Sequence, residues 1–131
     1  MLTRVSPEFI SAEDLVWLSE AEFSGPVSHR LDLANIVRGL WRGDYQLFRA
    51  DNGVILTEIS NKRLNLVKWA GRGLALRMAE LTRDLQHIGR ELGCNALETN
   101  VNSEKLARAL KRIGAKQESV IMVLEFDDGQ E

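Results

Sequence analysis

The spacing of apolar residues changes several times along this sequence, and each change marks an element. Leu2 to Val5 is a short strand, stopped by Ser6-Pro7. Ser11-Ala-Glu-Asp14 has the form of a helix N-cap followed by acidic first-turn residues. The helix it opens carries Leu15, Trp17 and Leu18 and ends before Gly25-Pro26. A second helix runs from about Leu31 to Trp41. There Leu33, Ile36, Val37 and Leu40 fall on one face, with Gly43 as the C-terminal cap. The period then shortens to that of strands. Tyr45 to Arg49, Val54 to Ser60 and Leu64 to Ala70 form an antiparallel meander, turned at Asp51-Asn52-Gly53 and at Ser60 to Arg63. Leu74, Met78, Leu81, Leu85, Ile88 and Leu92 return to helical spacing and give the longest buried stripe, closed by Gly93. Asn95 to Val101 is a strand. Ser103 caps a final helix with Leu106, Leu110 and Ile113 on its apolar face, ended by Gly114. Gln117 to Phe126 is the last strand, and the tail 127–131 is expected to fray.

This succession predicts one α/β domain over 1–131, in the order (β)ααβββαβαβ, with a mixed central sheet and helices on both faces. Strand, long helix and strand from 64 to 101 form a βαβ unit, so those two strands run parallel. Apolar residues on both faces of Val54 to Ile59 suit a sheet covered on both sides.

Composition narrows the functional classes. The 131 residues carry a net charge of −2, which gives no basic footprint for nucleic acid and no polybasic membrane anchor. The single cysteine, Cys94, excludes an intrachain disulfide, and with two histidines it leaves no Cys/His zinc set. No apolar run has the length of a membrane-spanning helix. The opening MLTRVSPEFISAED lacks the apolar core of a signal peptide, so secretion by that route is not expected.

The stretch Lys68-Trp-Ala-Gly-Arg-Gly-Leu74 carries the most chemistry. A strand enters two glycines separated by one residue, and a helix comes next. Glycines let backbone N–H groups approach a ligand, and a helix start adds unpaired donors and a positive dipole end. That combination suits phosphate or pyrophosphate. A tight strand-to-helix turn without a ligand gives the same spacing. The stretch is neither a P-loop nor a full dinucleotide fingerprint.

Element order and loop together resemble the GNAT superfamily of N-acetyltransferases. The family's Arg/Gln-x-x-Gly-x-Gly/Ala signature holds the pyrophosphate of acetyl-CoA. Lys68, Gly71 and Gly73 stand in its places, with Lys for Arg or Gln, so the resemblance implies acetyl-CoA contacts from Lys68, Trp69, Gly71, Arg72, Gly73 and Leu74. In a second family segment, Gly114 aligns, Leu110 stands where the family has Tyr and Ala115 where it has Phe. That Tyr acts in the family as general acid toward the departing thiolate, and leucine has no proton to give. Ser103 is one candidate acid in its place, beside Cys94 and water; Tyr45 is far away in the meander. Glu58, on a strand face with Val54 and Leu56, is the candidate base, unless it pairs with Lys62 or Arg63. Glu98 on the later strand has a similar claim.

The resemblance is closer to the small GNAT-like proteins of tailed bacteriophages. It rests on Ser6-Pro7-Glu8-Phe9, Gly43 to Phe48, Val54 to Ile59, Trp69 to Gly73, Gly93-Cys94 and Arg108 to Gly114 in order. This implies a structural, internal-virion or assembly role through contacts with other phage proteins, with the acetyl-CoA cleft vestigial and a location in the virion or host cytoplasm. The alternative is an active acetyl-CoA-dependent N-acyltransferase that transfers directly to an amine, with a backbone N–H near Trp69 holding the oxyanion. No metal enters either reading, and a homo-oligomer is open through the apolar last strand. Trp17, Trp41 and Trp69 are expected to pack in the core or a groove. Cys94 reads as a buried, inert thiol, and His87 as a surface residue. The basic set Lys105, Arg108, Lys111, Arg112 and Lys116 reads as a solvated face, with contact to the CoA 3′-phosphate or to packaged DNA as the minor reading.

Overall fold

The computed structural model describes residues 2–20, 22–23, 32–73, 77–100, 108, 110–112, 114–118 and 121–126. Leu74 and Ser103, two candidate site residues, lie outside that set, as do Lys105 and the tail 127–131.

The strands are β1 (Thr3–Val5), β2 (Glu22–Phe23), β3 (Tyr45–Ala50), β4 (Gly53–Ser60), β5 (Arg63–Gly71), β6 (Ala96–Asn100), β7 (Lys116–Glu118) and β8 (Ile121–Glu125). The helices are α1 (Ala12–Glu20), α2 (Leu33–Arg42) and α3 (Met78–Glu91), with a 3-10 turn at Pro7–Phe9. Residues 108 and 110–112 are also helical. The strands form one sheet of order β1-β3-β4-β5-β6-β8-β7, while β2 pairs with β5 off that path. The β3–β4–β5 meander is antiparallel, and β5 and β6, joined through α3, are parallel as the βαβ reading requires.

The expected order needs two corrections. A short β2 lies between the first two helices. The single last strand is instead two strands, β7 and β8, paired antiparallel. Its apolar half, from Ile121, lies inside the sheet against β6, and its polar half, Lys116-Gln-Glu118, takes the edge. A polar edge of this kind resists pairing with another chain.

Apolar side chains pack on both faces. On one face Leu81 and Leu85 of α3 meet Phe48, Ile55, Leu64 and Leu97. On the other, Leu18 of α1 and Ile36 and Leu40 of α2 meet Leu47, Val54 and Leu56. Local chemistry sets the helix ends. Asp32 accepts from the Asn35 N–H at 2.8 Å, and Gly43 closes α2 at φ 83°. Ser11 and Asp14 exchange bonds across the first turn of α1 at 2.9 and 3.1 Å. Trp17 and Trp69 are partly buried against the two cores, whereas Trp41 is 62% exposed and departs from the expectation of packing. His87, Arg108, Lys111, Arg112 and Lys116 are exposed, and Cys94 is buried.

Candidate functional site

The site grows from an irregularity in β5. Against β4 the register slips between Leu56 and Thr57, so Val67 is an extra residue on β5. A bulge of this kind bends a strand and redirects the residues after it. Among the described residues the parallel ladder with β6 covers Arg63 to Leu66, opposite Ala96 to Thr99. Beyond it β6 continues beside β8, while the free edge of β5 pairs with β2 at Lys68 and Trp69. The two central strands therefore part just after Leu66 and Thr99.

On the α3 side of this gap lies a cavity of about 40 Å³. Leu66 and Trp69 of β5, Leu97 of β6, Leu110 of the final helix and Met122 and Leu124 of β8 form much of its wall. Nearly all of the surface it exposes is apolar. On the opposite face, residues paired across strands carry polar groups in a row: Tyr45 on β3, Glu58 on β4, Asn65 on β5 and Glu98 on β6. An open depression of about 400 Å³ is lined there by Ser60, Asn61, Arg63, Asn65 and Glu98. The Arg63 guanidinium donates to Glu98 Oε1 at 2.7 Å. Asn65 Oδ1 is buried and accepts no bond among the described residues. Glu98 lines both the apolar cavity and the polar depression, so it stands at the wall between them.

The candidate bases thus separate. Arg63 takes Glu98 as its partner, while Glu58 lies opposite Tyr45 and Asn65. Glu58 is one strand farther from the gap, about 5 Å in the sheet. Tyr45 is two strands from β5, in keeping with its expected remoteness. Burial pushes its phenol pKa up, and Glu58 and Asp44 add to the rise, so it stays protonated at neutral pH. Leu110 is buried at the cavity wall and offers no proton there.

The glycine loop resolves into two different glycines. A Cβ on Gly71 would lie 2.4 Å from the Asn52 carbonyl oxygen and 2.7 Å from Gly53 Cα. Gly71 is therefore glycine because β5 ends against the β3–β4 turn, and the Arg72 N–H donates to the same Asn52 oxygen at 2.8 Å. Gly73 differs: its φ is 72° and, among the described residues, nothing lies within 4 Å of a Cβ built there. It is the open, left-handed position in this loop.

Lys68 is a residue of β5 itself. It lies opposite Leu56 on the α1/α2 face and is only 8% exposed. Burial holds its ammonium below the ordinary lysine pKa. Trp69 is on the other face and walls the cavity. The edge near Trp69, the expected oxyanion donor, is the one that β2 pairs with. Arg63 and Asn65 were missed by sequence reasoning, although the alternation Arg63-Leu-Asn-Leu66 already puts both polar groups on one face.

No family model matches this sequence, and no curated protein matches it either. Solved structures do. An acetyltransferase of Bacillus subtilis in complex with CoA superposes with TM-score 0.67 at 13% identity, over 96% of this chain and 98% of that one. The PaiA N-acetyltransferase of Thermoplasma acidophilum, also in complex with CoA, gives 0.59 at 15%, over 96% and 99%. An acetyltransferase of the GNAT family from Streptococcus pneumoniae gives 0.61 at 10%, over 97% and 99%. Identities this low speak to architecture alone, and the architecture is the α/β fold of the GNAT acetyltransferases.

Proposed function

We propose that the protein is an acyl-CoA-dependent N-acyltransferase that transfers directly to an amine. The observation that carries the reading is the place of Glu98. It is held by Arg63 at the end of the β5–β6 ladder, where the polar depression and the apolar cavity meet. An amine arriving in the depression reaches the Glu98 carboxylate beside Arg63 and Asn65. An acyl-CoA arriving along the gap reaches the cavity from the α3 side, since β2 takes the β5 edge. From Leu66 to Gly71 is five residues, about 17 Å along a strand, a span that suits an extended pantetheine arm with its pyrophosphate near Gly73. Two similar folds bind CoA, which supports the same donor here.

The step balances simply. Glu98 takes the proton of the substrate ammonium. The freed nitrogen lone pair attacks the thioester carbonyl carbon and the C–S bond breaks; Leu110 has no proton to give the departing CoA thiolate, so the thiolate takes the second proton of the attacking nitrogen, leaving a neutral amide and CoA thiol. The protein's contribution is placement of the two reactants plus one proton acceptor. The expected phage assembly role draws no support from the structural neighbours, which are acetyltransferases.

The test is release of CoA thiol from acetyl-CoA in the presence of a panel of primary amines. Wild type is expected to turn over. Glu98→Gln is expected to lose about 10²-fold or more in kcat, whereas Glu58→Gln keeps most of it. Absence of turnover with every amine, in protein shown to bind CoA, overturns the reading.

A further inference from the structure

The apolar cavity beneath the gap points to the acyl group itself, and we infer that the preferred donor carries an acyl chain of three or four carbons rather than acetyl. The inference rests on the acyltransferase reading and specifies its donor. The cavity begins where β5 and β6 part, at Leu66 and Thr99. The wall between it and the amine side is Glu98. A thioester carbon within reach of Glu98 therefore directs its acyl chain into space walled by Leu66, Leu97, Leu110, Met122 and Leu124.

The size of the space sets the chain length. A cavity needs about 10–15 Å³ to hold one water. The 40 Å³ present therefore takes about three heavy atoms. Acetyl supplies one methyl carbon beyond the carbonyl and leaves the rest empty. Propionyl supplies two and butyryl three. An empty apolar space forfeits dispersion contacts along its lining. Leu110 sharpens the argument: a hydroxyl aimed from that position would make the wall polar, whereas leucine keeps it apolar.

The experiment titrates the full-length protein by calorimetry with CoA, acetyl-CoA, propionyl-CoA, butyryl-CoA and hexanoyl-CoA. A buried methylene contributes about 0.8 kcal/mol, or about four-fold in affinity. Dissociation constants are expected to fall about four-fold at each step from acetyl to butyryl, about fifteen-fold in total, and to rise again at hexanoyl. Ala115→Leu, which adds three carbons at a cavity wall, is expected to abolish the gain of butyryl over acetyl. If thermal unfolding shows that variant misfolded, Leu110→Phe fills the same space from the helix. CoA binding with acetyl-CoA equal to or tighter than butyryl-CoA overturns this inference alone. No binding of CoA overturns the acyltransferase reading and this inference with it.

Discussion

Replacing Asp14 by Asn tests how the α1 face of the sheet is held. Asp14 is 1% exposed, yet it carries a charge. Its Oδ1 accepts from Arg49 Nε at 3.0 Å, and its Oδ2 accepts from Arg49 Nη2 and from the Ser11 N–H. Arg49 lies on β3, so the bond set ties the first turn of α1 to the sheet. Burial pushes the carboxyl pKa up, but Arg49 and Ser11 together outweigh it and hold the group below its ordinary 3.8. Breaking a fully buried pair costs about 3–5 kcal/mol. The Arg49 side chain is 42% exposed, so solvent screens part of that. Asparagine also keeps the shape and one acceptor, which leaves about 2 kcal/mol for Asp14→Asn and about 3 for Asp14→Ala. At this chain length 2 kcal/mol corresponds to a fall in Tm of about 8 °C. The sign with pH comes from the lowered pKa. The stabilisation is present above 3.8 and is lost as pH falls through the folded value, so the gap between wild type and Asp14→Asn closes in acid. Thermal unfolding from pH 7 to pH 3, with Arg49→Gln and the double variant completing a cycle, measures both. A loss below about 0.5 kcal/mol at pH 7, or a gap that does not change with pH, refutes the reasoning.

Packing sets two further outcomes. A Cβ at Gly39 would lie 2.2 Å from the Tyr45 ring, so Gly39→Ala is expected to destabilise by about 1–3 kcal/mol in denaturant melts, despite the better helix propensity of alanine. Burial raises the Cys94 thiol pKa, so alkylation of native protein at pH 8 is expected to be slow and to rise sharply on adding denaturant.

Much of the fold is legible because its signals are local. The Asp51-Asn52-Gly53 turn, the Gly43 cap and the stripe through Leu81 and Leu85 each depend on residues close in sequence. So does the parallel pairing of β5 with β6, since a helix separates two strands. The missed features depend on distant partners. Nothing near Glu22-Phe23 signals a strand, because its partner is Lys68-Trp69. Asp14 has the form of a first-turn acid, and its second role appears only when Arg49 arrives from β3. Gly71 and Gly73 form one motif in sequence, yet the β3–β4 turn behind Gly71 makes one of them a packing requirement. The row from Glu58 through Asn65 to Glu98 needs the register of three strands. Alternation around Asn65 shows only that polar groups share a face, not what stands beside them.

The central claim is that the loop after β5 holds the pyrophosphate of an acyl-CoA, and Gly73 tests it directly. Its left-handed backbone and open surroundings accept Asn or Asp at a similar conformational cost, so the two variants differ chiefly in charge. Calorimetric titration with CoA is expected to give binding to wild type, modest weakening in Gly73→Asn, and a further loss of about ten-fold or more in Gly73→Asp, from a like charge placed beside the pyrophosphate. Equal affinity of Gly73→Asp and Gly73→Asn, or no binding of CoA to wild type at millimolar concentration, about −4 kcal/mol, contradicts it.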